Sequence, residues 1–99
     1  MVEQFMLKYN YRANRWEYIL PDGRRLCVFV EVMNDRCERE AGLPLHRVRQ
    51  QEQDRIIKHL RNPFLWHPDR GDGSYIELSN GDIDLDATHP DTVAQLPPR

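Results

Sequence analysis

The sequence predicts a single α+β domain, and three features carry that expectation. Apolar residues alternate with polar ones through the first third of the chain, two later segments place apolar residues at helical spacing, and Asn80-Gly81 lies between two short alternating runs. Together they describe an N-terminal antiparallel three-stranded meander, two helices and a C-terminal β-hairpin.

The chain has 99 residues, 39% hydrophobic and 30% charged, which is ordinary globular usage and suits one core. We expect a domain over residues 1–87 and a flexible tail over 88–99, where Thr88-His89-Pro90-Asp91 leads to Pro97-Pro98-Arg99.

Phe5, Leu7, Tyr9 and Tyr11 alternate with Met6, Lys8 and Asn10, predicting a half-buried first strand. Arg12-Ala13-Asn14-Arg15 reads as a polar turn. Trp16, Tyr18 and Leu20 form the second alternating run, and Pro21-Asp22-Gly23 supplies the next turn, since proline presets φ and glycine accepts positive φ. The run from Arg25 to Val32 is apolar on both faces except at Glu31, the pattern of a central strand. We expect it to continue to about Val32, although the four-residue recurrence of Phe29, Met33, Cys37 and Ala41 also allows a helix to start near Phe29.

Asn34 or Asp35 is the expected helix cap, with Asp35-Arg36-Cys37-Glu38 spaced as a capping box, and Gly42 is the expected stop. A second helix is expected over 45–61, opened by Pro44 and closed by Asn62-Pro63, with Leu45, Val48, Ile56, His59 and Leu60 on its apolar side. Residues 63–73 read as a loop anchored by Phe64, Leu65 and Trp66. Asn80-Gly81 then predicts a two-residue type I′ turn joining the runs 75–79 and 82–86.

No run of apolar residues approaches the roughly 20 that a membrane span requires, and the start lacks the layout of a signal peptide. We therefore expect a cytoplasmic protein whose two cysteines, Cys27 and Cys37, are buried thiols. No cofactor motif is present. Cys27, Cys37, His46, His59 and His67 show no local zinc-ligand spacing. His67-Pro68-Asp69 resembles the central tripeptide of J-domains, and the resemblance ends there. The helix that follows it in those domains is replaced by the hairpin, and the same tripeptide recurs at His89-Pro90-Asp91, as a turn would.

Charge is distributed unevenly. Residues 1–70 hold 13 Lys/Arg against 10 Asp/Glu, whereas residues 71–99 hold one Arg against six acids, so the two segments carry +3 and −5. In the type I′ register Glu77 opposes Asp84, Tyr75 opposes Asp86, and Asp82, Asp84 and Asp86 form a row about 6.5–7 Å apart. Like charges opposed on a ladder are destabilising. The row can keep an exposed edge soluble, hold a divalent cation, or mimic nucleic-acid phosphates toward a basic partner, and the last reading makes Tyr75, Glu77, Asp82, Asp84 and Asp86 the expected partner-binding residues.

The leading expectation is therefore a non-enzymatic interaction protein whose acidic hairpin meets a protein partner with a basic surface. Such a partner fits a nucleic-acid-processing complex, and the size and charge suit a phage- or mobile-element-type inhibitor of the anti-CRISPR kind. The alternative is a nucleic-acid-binding module. At 100° per residue Arg47, Arg55, Lys58 and Arg61 would fall within about 120° of arc on the helix 45–61. A small divalent-metal-dependent enzyme using the aspartate row is the third expectation.

Overall fold

The computed structural model describes residues 5–96. Four strands, β1 (Lys8–Asn10), β2 (Arg15–Ile19), β3 (Arg25–Phe29) and β4 (Ser74–Glu77), form one antiparallel sheet in the order β1-β2-β3-β4. Helices α1 (Val30–Ala41) and α2 (Gln50–Leu60) lie between β3 and β4 in sequence, and a short α3 (Pro90–Gln95) follows the hairpin segment.

The expected meander is present and β3 is central, paired on both sides. Alternation in these strands divides the sheet into two faces. Leu26, Val28 and Ile76 point to the core, where they meet Met33 and Cys37 of α1, Ile56 and Leu60 of α2, and Trp66, with Trp16 and Tyr18 packed alongside. Arg15, Glu17, Arg25, Cys27, Tyr75 and Glu77 occupy the opposite face.

Helix α1 begins at Val30, directly from β3, so the four-residue recurrence and not the β-branched run decides the boundary. Met33 and Cys37, one turn apart, are 2% and 1% exposed, and their burial outweighs the strand preference of Val30 and Val32. The helix has no side-chain cap, and Asp35 lies exposed within it, contrary to the capping-box expectation. Gly42 ends it in the left-handed conformation as expected, φ +75°.

The expected helix over 45–61 is two elements. Leu45–Arg47 forms a 3₁₀ turn, Val48 is extended, and α2 starts only at Gln50. The Gln53 side chain bridges the break, donating to the carbonyls of Leu45 and Val48 at 2.8 and 2.7 Å. Arg47 is thus off the helix that carries Arg55 and Lys58.

Residues 88–96, expected to form a tail, pack against the body. Thr88 and Thr92 are buried, Thr88 Oγ1 accepts from the Ile76 N–H at 3.0 Å, and the His89 N–H donates to the Pro68 carbonyl at 2.8 Å. Both His-Pro-Asp tripeptides open short helical turns with proline in the first turn. Residues 97–99 of the expected tail lie outside the described residues. No helix among the described residues is long and apolar enough to cross a membrane.

Both cysteines are buried free thiols, as expected. Cys37 belongs to the core and Cys27 to the opposite side of the sheet. The sheet therefore separates them.

Candidate functional site

The acidic hairpin differs from its expected form by one residue of register. Leu78 N–H donates to the Asp82 carbonyl at 2.7 Å and Gly81 N–H to the Leu78 carbonyl at 2.9 Å, which closes a three-residue loop over Ser79, Asn80 and Gly81. A type I′ turn needs positive φ at both central residues, yet only Gly81 has it here, at +96°, while Asn80 does not. Glu77 consequently faces Ile83, and the Asp84 N–H donates to the Ile76 carbonyl. A one-residue shift exchanges the faces of every side chain beyond the turn, so the opposition of Glu77 to Asp84 is absent.

Glu77 instead pairs across the sheet with Arg25 of β3 and is 3% exposed. Its carboxylate accepts from Arg25 Nη2 at 2.6 Å and from both Arg15 terminal nitrogens at 2.7 and 3.0 Å. Arg15 also donates to the Tyr75 hydroxyl at 2.8 Å and pairs with Glu17. Burial disfavours the Glu77 carboxylate, but the hydrogen-bonded guanidiniums of Arg15 and Arg25 more than offset this and hold its pKa below the usual glutamate value. Burial pushes the Tyr75 hydroxyl up to about 12, against the opposing hydrogen bond from Arg15.

Tyr75 and Glu77, expected as partner-binding residues, are each 3% exposed and are engaged by Arg15 on the sheet face opposite the core. Asp84 is paired with Arg24 at 2.9 Å. Asp82 and Asp86 remain exposed, and the continuous acidic row is broken.

The basic set is also divided. Arg61 Nε donates to the Leu7 carbonyl at 2.9 Å and its guanidinium lies 5.7 Å from the centre of the Trp16 ring, so it joins α2 to the sheet. The Leu7 N–H donates to the Arg61 carbonyl at 2.7 Å, completing a two-bond clamp at fully buried Leu7. Arg55 and Lys58 stay together on the exposed side of α2, joined by His59, which was expected on the apolar edge and is exposed. Positions 55, 58 and 59 follow the i, i+3, i+4 spacing of one helical stripe, and Asn62 follows just beyond the helix end.

The clamp at Leu7 sets Phe5 and Met6 beside this stripe. At its other end Asn62 Oδ1 accepts from the Phe64 N–H at 3.0 Å, capping the 3₁₀ turn Pro63–Leu65. Pro63 and Trp66 are buried on either side, with Trp66 Nε1 donating to the Leu60 carbonyl at 2.9 Å. The tight turn projects Phe64 outward at 70% exposure, and its ring lies 6.5 Å from that of Phe5.

These residues line a groove of about 510 Å³ with the two phenylalanines, Arg55 and Lys58 as its walls. A second groove, about 740 Å³, lies beside β1 and β2 and is lined by Lys8, Tyr11, Arg12 and Ile19 among others. Met6 belongs to both, so the grooves adjoin. Six large hydrophobic side chains are exposed among the described residues, and Phe5, Tyr11, Ile19 and Phe64 are four of them. These four line two grooves that share Met6, in contrast to the singly scattered apolar exposure normal for a surface.

Among the described residues no group of three or more His, Cys, Asp or Glu side chains is placed to hold a metal ion. Helical spacing placed Arg55 and Lys58 together on an exposed side, as they are, whereas Phe5 was expected in a half-buried strand and Phe64 as a loop anchor, and both are exposed. The available signal was the cap sequence Asn62-Pro63, which forces a tight turn and turns its neighbour outward. Comparison with family models, with curated proteins and with solved structures finds no match, so the chain's own geometry carries the functional reading.

Proposed function

We propose that the protein is a non-enzymatic binding module whose docking face is the pair of adjoining grooves, and that its partner is anionic. The observation that carries this reading is the exposed Phe5–Phe64 pair standing beside Arg55 and Lys58. Aromatic and basic side chains together favour partners that combine negative charge with flat or apolar groups. The uneven charge of the chain agrees: its acidic excess lies after residue 70, away in sequence from the groove residues.

A binding role rather than a catalytic one is favoured by the cluster around Glu77. Tyr75 is raised to about 12 and Glu77 is lowered, so neither is poised to exchange protons near neutrality.

Retention on heparin, a generic polyanion, tests the proposal. The parent protein carries a net charge of −2 and should nevertheless be retained at low salt and eluted as salt rises. The double variant Arg55→Glu/Lys58→Glu should flow through, and Asp82→Asn/Asp86→Asn should not. Passage of the parent protein without retention would overturn the proposal.

One feature favours a second reading, in which the hairpin meets a basic protein. Leu85 is 66% exposed and flanked by Asp84 and Asp86, an apolar contact set among carboxylates. Binding to poly-lysine that is lost in Leu85→Ser/Asp86→Asn would support it. Binding indifferent to that double variant would remove it.

A further inference from the structure

We infer that the occupant of the adjoining grooves is a single-stranded nucleic acid, with bases on the exposed rings and phosphates on the flanking cations; this rests on the binding face proposed above. Each groove contains both kinds of group that such a strand requires. The α2 groove offers Phe5 and Phe64, 47% and 70% exposed, with Arg55 and Lys58. The strand-side groove offers Tyr11, 86% exposed, with Lys8 and Arg12.

A single strand presents π-faces and charge in alternation along its length, which the ring-and-cation lining of each groove matches, and Met6 lines both. A duplex hides its base faces within the stack, so the exposed rings would gain nothing from it.

The acids nearest these grooves are Glu52, Asp54 and Glu17, and Glu52 offsets the charge of Arg55, so Lys58 is the cation that the α2 groove presents. Glu52 is paired with Arg55, whose guanidinium lowers the carboxyl pKa, and Glu17 is paired with Arg15 on the sheet. Lys8, Arg12 and Lys58 remain as exposed cations. An acidic peptide would satisfy the same charges but would leave the rings without stacking partners.

Fluorescence anisotropy with labelled 12-nucleotide single strands, as DNA and as RNA, tests the inference against the same sequence in duplex form and a 12-residue poly-glutamate peptide. At least one single strand should bind about tenfold or more tightly than either competitor, and binding should weaken as salt rises from 50 to 200 mM. Stacking on one ring is worth about 5- to 150-fold by alanine substitution, so Phe64→Ala should weaken binding at least fivefold. Its exposure makes the fold indifferent to truncation, which an unchanged melting temperature confirms. Lys58→Gln provides an independent variant, expected to reduce the steepness of the salt dependence by about 0.7 in the log–log slope.

Equal affinity for duplex and single strand, or binding indifferent to Phe64→Ala, overturns the inference. Poly-glutamate binding that is lost in Phe64→Ala overturns it while leaving the docking face in place. Absence of all binding, together with passage through heparin, overturns both.

Discussion

Replacing Glu77 by alanine should destabilise the protein by about 2–3 kcal/mol. Deleting one partner of a buried ion pair costs about 3–5 kcal/mol because the other charge is stranded away from water. Glu77 holds two guanidiniums, but Arg15 and Arg25 retain 15% and 27% side-chain exposure and recover part of their hydration, which places the loss at or below the lower end. For a domain of this size that corresponds to a fall in Tm of roughly 10–20 °C. A total stability of about 5–15 kcal/mol leaves the variant folded and measurable.

Urea unfolding followed by tryptophan fluorescence at pH 7 reads the change, with Glu77→Gln as the variant that keeps the shape and removes the charge. The pH dependence has a definite sign. The native carboxyl pKa lies below the unfolded value of about 4.3, so the contribution is complete above that value and is lost as pH falls through the native pKa. The stability gap between parent and Glu77→Gln should therefore close in acid. Had Glu77 opposed Asp84, its removal would stabilise the protein by a few tenths of a kcal/mol. A neutral or stabilising Glu77→Gln would refute the cross-sheet network.

Two glycines separate backbone strain from steric conflict. Both Gly23 and Gly73 have positive φ, +92° and +94°, but a Cβ at Gly73 would lie 2.6 Å from Val32 Cγ1, whereas one at Gly23 meets nothing within 4 Å. Gly23→Ala should cost about 1–2 kcal/mol and Gly73→Ala a further 1–3 kcal/mol, read by the same urea titration; equal losses would contradict the packing of α1 on the loop before β4. Burial raises the Cys27 thiol to about 12 and also raises Cys37, so neither should react with a thiol reagent at pH 8 until denaturant is added. Rapid native-state labelling of Cys27 would show that the sheet face above it is open.

Much of the sheet was legible because its signals are local. Tyr9, Trp16, Tyr18, Leu26 and Val28 alternate, and each turn carries proline, asparagine or glycine where φ demands it. The hairpin was legible in place but not in register. Asn-Gly fits both a two-residue turn and a three-residue loop ending in a left-handed glycine, and only the backbone angle at Asn80 distinguishes them. That single residue reassigned Glu77 from a repulsive pair to a buried one. Its partner Arg15 lies 62 positions away, a separation no local pattern reports.

The same limit applies to the groove. Arg55 and Lys58 follow from helical spacing, but Arg61 was indistinguishable from them until its bond to the Leu7 carbonyl appeared. Phe64 has the composition of an anchor, and the 3₁₀ turn between buried Pro63 and Trp66 makes it the outward residue.

Mapping the contact by two-dimensional ¹H–¹⁵N NMR tests the central claim most directly, because it locates binding without presuming its strength. Titration of the full chain with the 12-nucleotide single strand should shift the amides of Phe5, Met6, Arg55, Lys58, His59 and Phe64, extend to Lys8 and Tyr11, and leave residues 82–86 unmoved. Shifts confined to residues 82–86, or no shifts at millimolar strand, would contradict the assignment of this face.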